Sequence, residues 1–421
     1  MRKILLTVAA CAAPVALACP AHAAEAKFGD PVKVGDGVTL DPIIDARLRY
    51  EHVDQPATEA DAATLRLRLG GELKHAASKL SLIAEAEGTL TLGKNYNAFP
   101  YALTSSQRRT AYSVVADPEN IELNRLQLQY KGKAVTVTVG RQRINLDDQR
   151  WVGAVGWRQN EQTFDAARIE AKLGPVTLDG SYAIDQRTIW GYDGGVRTAF
   201  GGDFVMLGAG AKLGPVQVKV FAYLLDYNAD EQGGALAAAM ADTQTYGLRA
   251  TSSLPLATGV KLNLAASYAQ QSDWKGGPVD FSVDYIALEG GLAFKRLGIT
   301  AGYEKLGGNG TRALQTPMAT LHKFNGWADL FLVTPAGGLE DTYAGVTYKF
   351  DQIKAIPGLN AAVTYHQYDS DLGSASYGHE WNASLGFRIS KVNLLAKYAA
   401  YTARGFGVNT KKFWLQAEVA F

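Results

Sequence analysis

The feature that most constrains this chain is an alternation of apolar and polar residues with period two. It is clearest at the C terminus, where 411–421 reads KKFWLQAEVAF. Phe413, Leu415, Ala417, Val419 and Phe421 share one face, while Lys412, Trp414, Gln416, Glu418 and Ala420 share the other. Successive side chains of a strand point to opposite sides of its sheet, so this is a strand with one face for hydrocarbon and one for water. A soluble edge strand carries the same alternation, and the segment alone leaves both readings open.

The pattern recurs along nearly the whole chain. Leu65, Leu67 and Leu69 alternate with Arg66 and Arg68; Leu80, Leu82, Ala84 and Ala86 alternate with Glu85 and Glu87. Trp381, Ala383, Leu385, Phe387 and Ile389 alternate with Asn382, Ser384 and Arg388. Such segments number about eighteen, with about sixteen also compatible, and run ~9–14 residues where a tilted membrane strand needs ~9–11. Short connections at 131–133, 174–175, 214–215, 296–298 and 390–391, and somewhat longer ones at 75–78, 254–258 and 351–357, interleave with long ones. The long ones are 94–120, 145–162, 189–202, 228–241 and 306–338. Short periplasmic turns and long extracellular loops give this rhythm, and a Greek-key sandwich gives no reason for it. The predicted fold is all-β, a transmembrane antiparallel barrel. It must close, because an unpaired sheet edge in hydrocarbon costs several kcal/mol per backbone group.

The start of the chain agrees. Arg2 and Lys3 precede an apolar stretch, and Ala21-His22-Ala23 supplies small residues at a cleavage spacing, which predicts a secretory signal peptide over 1–23. A short periplasmic segment (24–38) and a barrel domain (39–421) follow. Cys11 and Cys19 both fall in the leader, which excludes a disulfide framework or thiolate metal site from the mature chain. Losing Arg2 and Lys3 leaves acids and bases nearly balanced, so no nucleic-acid partner is implied. No later apolar run approaches the ~20 residues of a membrane helix.

The inward face carries the chemistry. It holds Arg47 and Arg49, Arg66 and Arg68, Arg125 with Gln127 and Gln129, and Arg168, together with Asp45, Glu51, Glu72, Glu85, Glu87 and Glu170. One reading is that these charges pair and keep the lumen wet, giving a general diffusion porin. The other is a filter of guanidiniums that guides an anionic solute, since arginine binds carboxylates bidentately and rings of Arg or Lys select anions. Arg141 and Arg143 share parity with the apolar Val135, Val137 and Val139, and a bulge there would invert their face. The segment 140–165 (GRQRINLDDQRWVGAVGWRQNEQTFD) and the aromatic-rich 306–338 resist the strand pattern, and such loops are expected to pack into the mouth or lumen. Full occlusion by the aromatic loop would make a narrow structural barrel. His52, His75, His322, His366 and His379 sit in no nucleophile motif, which makes an outer-membrane hydrolase the weaker alternative; no cofactor or metal is implied.

The segments GRQRINLDDQRW, WRQNEQTFDA and LHKFNGWADLFLVTPAGGLEDTYAGV resemble the alginate-export family of outer-membrane porins, over roughly Asp45 to Phe421. The resemblance implies a non-enzymatic channel in the outer membrane of a Gram-negative bacterium, with a constriction that passes a polyuronate. By motif it carries over Arg141, Arg143, Arg150, Arg158 and Gln159, with His322, Lys323, Asn325 and Trp327 in the long loop. By position and strand pattern it adds Arg47, Arg49, Arg66 and Arg68. The partners implied are an anionic small molecule or polysaccharide, outer-membrane lipid, and the barrel-assembly machinery acting on Phe421.

Overall fold

A computed structural model describes residues 29–228, 242–275 and 279–421. The expected leader and part of the loop 228–241 lie outside the described residues. Eighteen antiparallel strands pair each with the next, and the last (Thr410–Ala420) pairs with the first (Val38–Asp54), closing the barrel. Phe421 extends this seam, its N–H donating to Ile44 O at 2.8 Å. A short additional strand, Val32–Gly35, pairs with the start of the first barrel strand.

The alternation sorts the residues as expected. Leu48, Leu69, Leu82, Leu126, Val139, Leu288 and Leu415 are exposed on the outer face, while Arg49, Arg66, Glu85 and Glu87 are buried within. Near the long-loop end, outer tyrosines donate diagonally to acids on the next strand, as in Tyr50 to Asp61 (2.5 Å), Tyr268 to Asp284 (3.2 Å), Tyr303 to Glu340 (2.9 Å), and Tyr182 to Asp203. An amphipathic ring with a polar tip suits a membrane interface, so these pairs mark the upper edge of the apolar band.

Two departures from regular pairing shape the interior. A bulge opposite Glu85 turns both Asn124 and Arg125 toward that carboxylate. The strand Val135–Gln142 is cut short, and the chain from 143 to 162 leaves the wall and crosses the lumen. The connection rhythm holds over most of the barrel, but 55–58, 370–375 and 404–409 at the long-loop end are short, and 350–359 at the other end is longer than any of these.

Candidate functional site: a charged lumen filled by loops

The loops 143–162 and 307–338 lie side by side inside the barrel. Gly153 N–H and the Gln162 amide both donate to Met318 O at 2.8 Å, and Thr320 N–H donates to Gln149 O at 3.1 Å. Their apolar side chains make one core with the walls. Trp151 packs against Phe221, Tyr223 and Tyr285, and Phe331 packs against Tyr368, Tyr377 and Tyr401. The expectation that the aromatic loop packs is met, because buried rings from several strands give it a surface. A third loop, 96–119, reaches in with Asp117, which accepts from Gln159 N–H at 2.8 Å.

The arginines of the first strands are spoken for. Arg47 bonds the carbonyls of Gly156, Trp157 and Arg158 and pairs with Glu418 at 2.9 Å. Arg49 bonds Trp157 O and Gln416, lies 3.5 Å from Asp117, and stacks 4.1 Å from the Trp157 ring. Arg66 joins Asp45 (2.5 Å) and Glu418 (2.9 Å). Arg68 bridges Glu87 and Glu161, Arg143 bridges Glu161 and Glu85, and Arg125 pairs with Glu85 at 2.6 Å. From Glu87 through Arg68, Glu161, Arg143 and Glu85 to Arg125 the charges alternate without a break, and the crossing loop supplies Arg143 and Glu161.

The remaining candidates scatter. Arg150, fully enclosed, holds Glu304 (2.7 Å), Thr316 and Asn325. Against the effect of burial, Glu304 keeps its guanidinium firmly charged. Arg158 holds Glu51 and Asp329, and the buried Gln159 amide donates to Thr64. Arg168 pairs with Asp179 and Glu170 toward the short-turn end, and Lys323 donates to Asp148 O at 2.8 Å. Arg141 does not join the lumen. Its register opposite lipid-facing Leu126 places it on the outer face, where it pairs with Asp165 at 2.7 Å and donates to Leu123 O. No inversion occurs at Arg141, and Arg143 turns inward only because the strand has ended.

A centre that strand patterns do not reveal lies beneath Trp157. His322 stacks on that ring with centroids 4.5 Å apart; its Nδ1–H donates to Asp329 (2.7 Å), and its Nε2 accepts from Lys397 Nζ (2.8 Å). Lys397 Nζ lies 3.8 Å from the centroids of both Trp157 and Trp327. Burial first, then Lys397 and Arg158, holds the His322 pKa well below 6.5, in keeping with a neutral ring that donates at one nitrogen and accepts at the other. Asp329 stays ionised despite burial because the His322 ring donates to it and the cations Lys412 and Arg158 lie beside it. Trp414 was read on the polar face of its strand, but nothing in that segment or around Lys397 indicated a shared cage.

A closed barrel of eighteen strands with a polar, loop-filled interior defines an outer-membrane channel. The solved structures it resembles share this fold. OpdL of Pseudomonas aeruginosa is 16% identical with a TM-score of 0.67, covering 91% of this chain and 98% of that one. OccAB1 of Acinetobacter baumannii is 12% identical with a TM-score of 0.69, covering 91% and 97%. OpdK of Pseudomonas aeruginosa, solved with vanillate, is 13% identical with a TM-score of 0.67, covering 90% and 98%. At these identities the likeness is one of fold. A search of characterised proteins by sequence found no match. A sequence model described as alginate export matches residues 40–272, and the chain belongs to that family. It is a channel of the Gram-negative outer membrane, not an enzyme. The matched region contains the Arg-rich segment; the motif around His322 lies beyond it.

Proposed function

We propose that this channel passes an anionic solute, a polyuronate or other acidic saccharide, along the arginines of its lumen. The observation that carries the reading is where their counter-ions come from. On the wall, Arg68 pairs with Glu161 and Arg49 faces Asp117, and both carboxylates stand on loops. Movement of those loops leaves guanidiniums short of carboxylates, and the carboxylates of a passing solute complete the pairs. OpdK, a barrel of the same fold, was solved with vanillate, whose carboxylate belongs to the same chemical class. A general diffusion porin is the second reading, favoured by the pairing of Arg66 with Asp45 and of Arg125 with Glu85, carboxylates fixed in the wall.

Reversal potential across a salt gradient separates the two. The wild type should prefer chloride over potassium, modestly and less so at high salt, where the field is screened within ~3–10 Å. Arg68→Gln with Arg143→Gln should move the potential toward cations and weaken block by an oligouronate. Unchanged potential and block in that pair would leave the arginines as structural charges and favour the general porin.

A further inference from the structure

Away from the arginine wall, two cations stand directly opposite each other on neighbouring strands. Lys219, on Val216–Tyr227, is the cross-strand partner of Arg249, on Thr243–Ala257, and both face the lumen. Like charges in that position repel, so the pair is unfavourable unless anions complete it. Two carboxylates of the crossing loop do so. Lys219 Nζ lies 3.0 and 2.9 Å from the two oxygens of Asp147, and Arg249 Nη1 lies 2.8 Å from Asp148. Gly208 leaves room for the lysine stem, since a Cβ there would come within 2.5 Å of Lys219 Cε.

The carboxylates are presented on a tight turn in which Asp147 (φ 51°) and Gln149 (φ 70°) both adopt left-handed backbone, and Lys323 donates to Asp148 O. On one side lies a cavity of about 500 Å³ toward the short-turn end, edged by Lys131, Lys133 and Lys172 and also by Glu170 and Asp179. On the other lies a cavity of about 480 Å³ beneath Lys323 and Trp327. Arg249 lines both. The turn stands at their junction.

We infer that Lys219 and Arg249 form a binding site for a solute bearing two carboxylates, which Asp147 and Asp148 occupy in the resting channel. The chain supplies its own copy of the ligand. A solute entering from the cavity at the short-turn end exchanges with the turn, carboxylate for carboxylate, and so reaches the second cavity. This rests on the anion-channel reading, which the wild-type reversal potential tests separately.

The test uses the full-length channel in a planar bilayer, with digalacturonate as the probe and maltose as its neutral counterpart. Asp147→Asn with Asp148→Asn removes the resident anions, and asparagine tolerates left-handed backbone. Block by digalacturonate should tighten by about tenfold or more as an intramolecular competitor is lost. Lys219→Gln with Arg249→Gln should abolish that block, and maltose should respond to neither change. Single Asp147→Asn serves if a double variant fails to give heat-modifiable barrel. Digalacturonate block unchanged in the aspartate variant, or changed equally for maltose, overturns the site; an anion preference retained in the wild type leaves the channel reading standing.

Discussion

Arg150 illustrates how much of this interior depends on single buried charges. Its guanidinium reaches Glu304 on the wall and Thr316 and Asn325 in the neighbouring loop, and its Cζ lies 4.8 Å from the Phe324 ring centroid. Arg150→Ala removes one partner of a buried pair and leaves Glu304 uncompensated, which should cost about 3–5 kcal/mol. Denaturant unfolding of the refolded barrel, with protease sensitivity of 307–338, measures it, and wild-type values in both would contradict the role. Arg150→Lys should rescue only in part, because an ammonium cannot reproduce the planar fork. The resemblance pointed to Arg150, yet Glu304 was out of reach. Alternation states which face a residue occupies; it does not state which carboxylate waits on the far side of a lumen. Arg141 shows the converse, where its shared parity with Val139 was legible and correct, and its place among the motif arginines was not evidence that it lines the pore.

Among elements, the loop 307–338 was recognisable by its aromatics, and its docking has a pH dependence. Docked, His322 is neutral, donating to Asp329 and accepting from Lys397. Undocked, it regains its ordinary pKa near 6.5, so the free loop takes up a proton that the docked loop refuses. Docking therefore weakens as pH falls below 6.5, by up to about 1.4 kcal/mol per pH unit. Asp329, held low when docked, favours docking throughout this window and withdraws that support only below its ordinary 3.8. Channel openings should become more frequent between pH 7 and pH 5, and His322→Gln should flatten the response. An identical response in that variant would place the titration elsewhere. The contact that seats this loop was not legible, because it depends on Gly326 in left-handed backbone (φ 83°). A Cβ there would meet the Tyr368 hydroxyl at 2.2 Å, beside the Glu380 carboxylate that accepts from Trp327 and Ala328 N–H.

At the scale of the molecule, strand number followed from the alternation, sidedness from the connection lengths and closure from backbone pairing in hydrocarbon, because a membrane imposes the same rules on every strand. The interior follows no such rule, which is why its pairings had to be seen. The outer face also has a depth scale. Leu415 lies opposite Tyr50, whose bond to Asp61 marks the upper edge of the apolar band, while Val419 lies opposite Ala46, deeper in the wall. Arginine on the lipid face costs ~2–4 kcal/mol at the midplane and ~0–1 near an interface. Val419→Arg should therefore reduce the yield of heat-modifiable barrel more than Leu415→Arg. The reverse order would mean that the tyrosine pairs do not lie at the interface.

The seam between the first and last strands has a consequence for timing. Arg47 grips Glu418 across it while also bonding the carbonyls of 156–158, Arg66 joins Asp45 to that same Glu418, and Trp414 packs edge-on to Trp157. The residues that seat the crossing loop are thus supplied in part by the strand made last. Before that strand arrives, Trp157 has no Trp414 beneath it and Arg47 and Arg66 lack their shared carboxylate. Until then the crossing loop lacks these contacts, so its seating is complete only once the ring has shut. A chain stalled with an open seam is consequently also one with an unseated plug, recognisable as incomplete from its interior as well as from its edge.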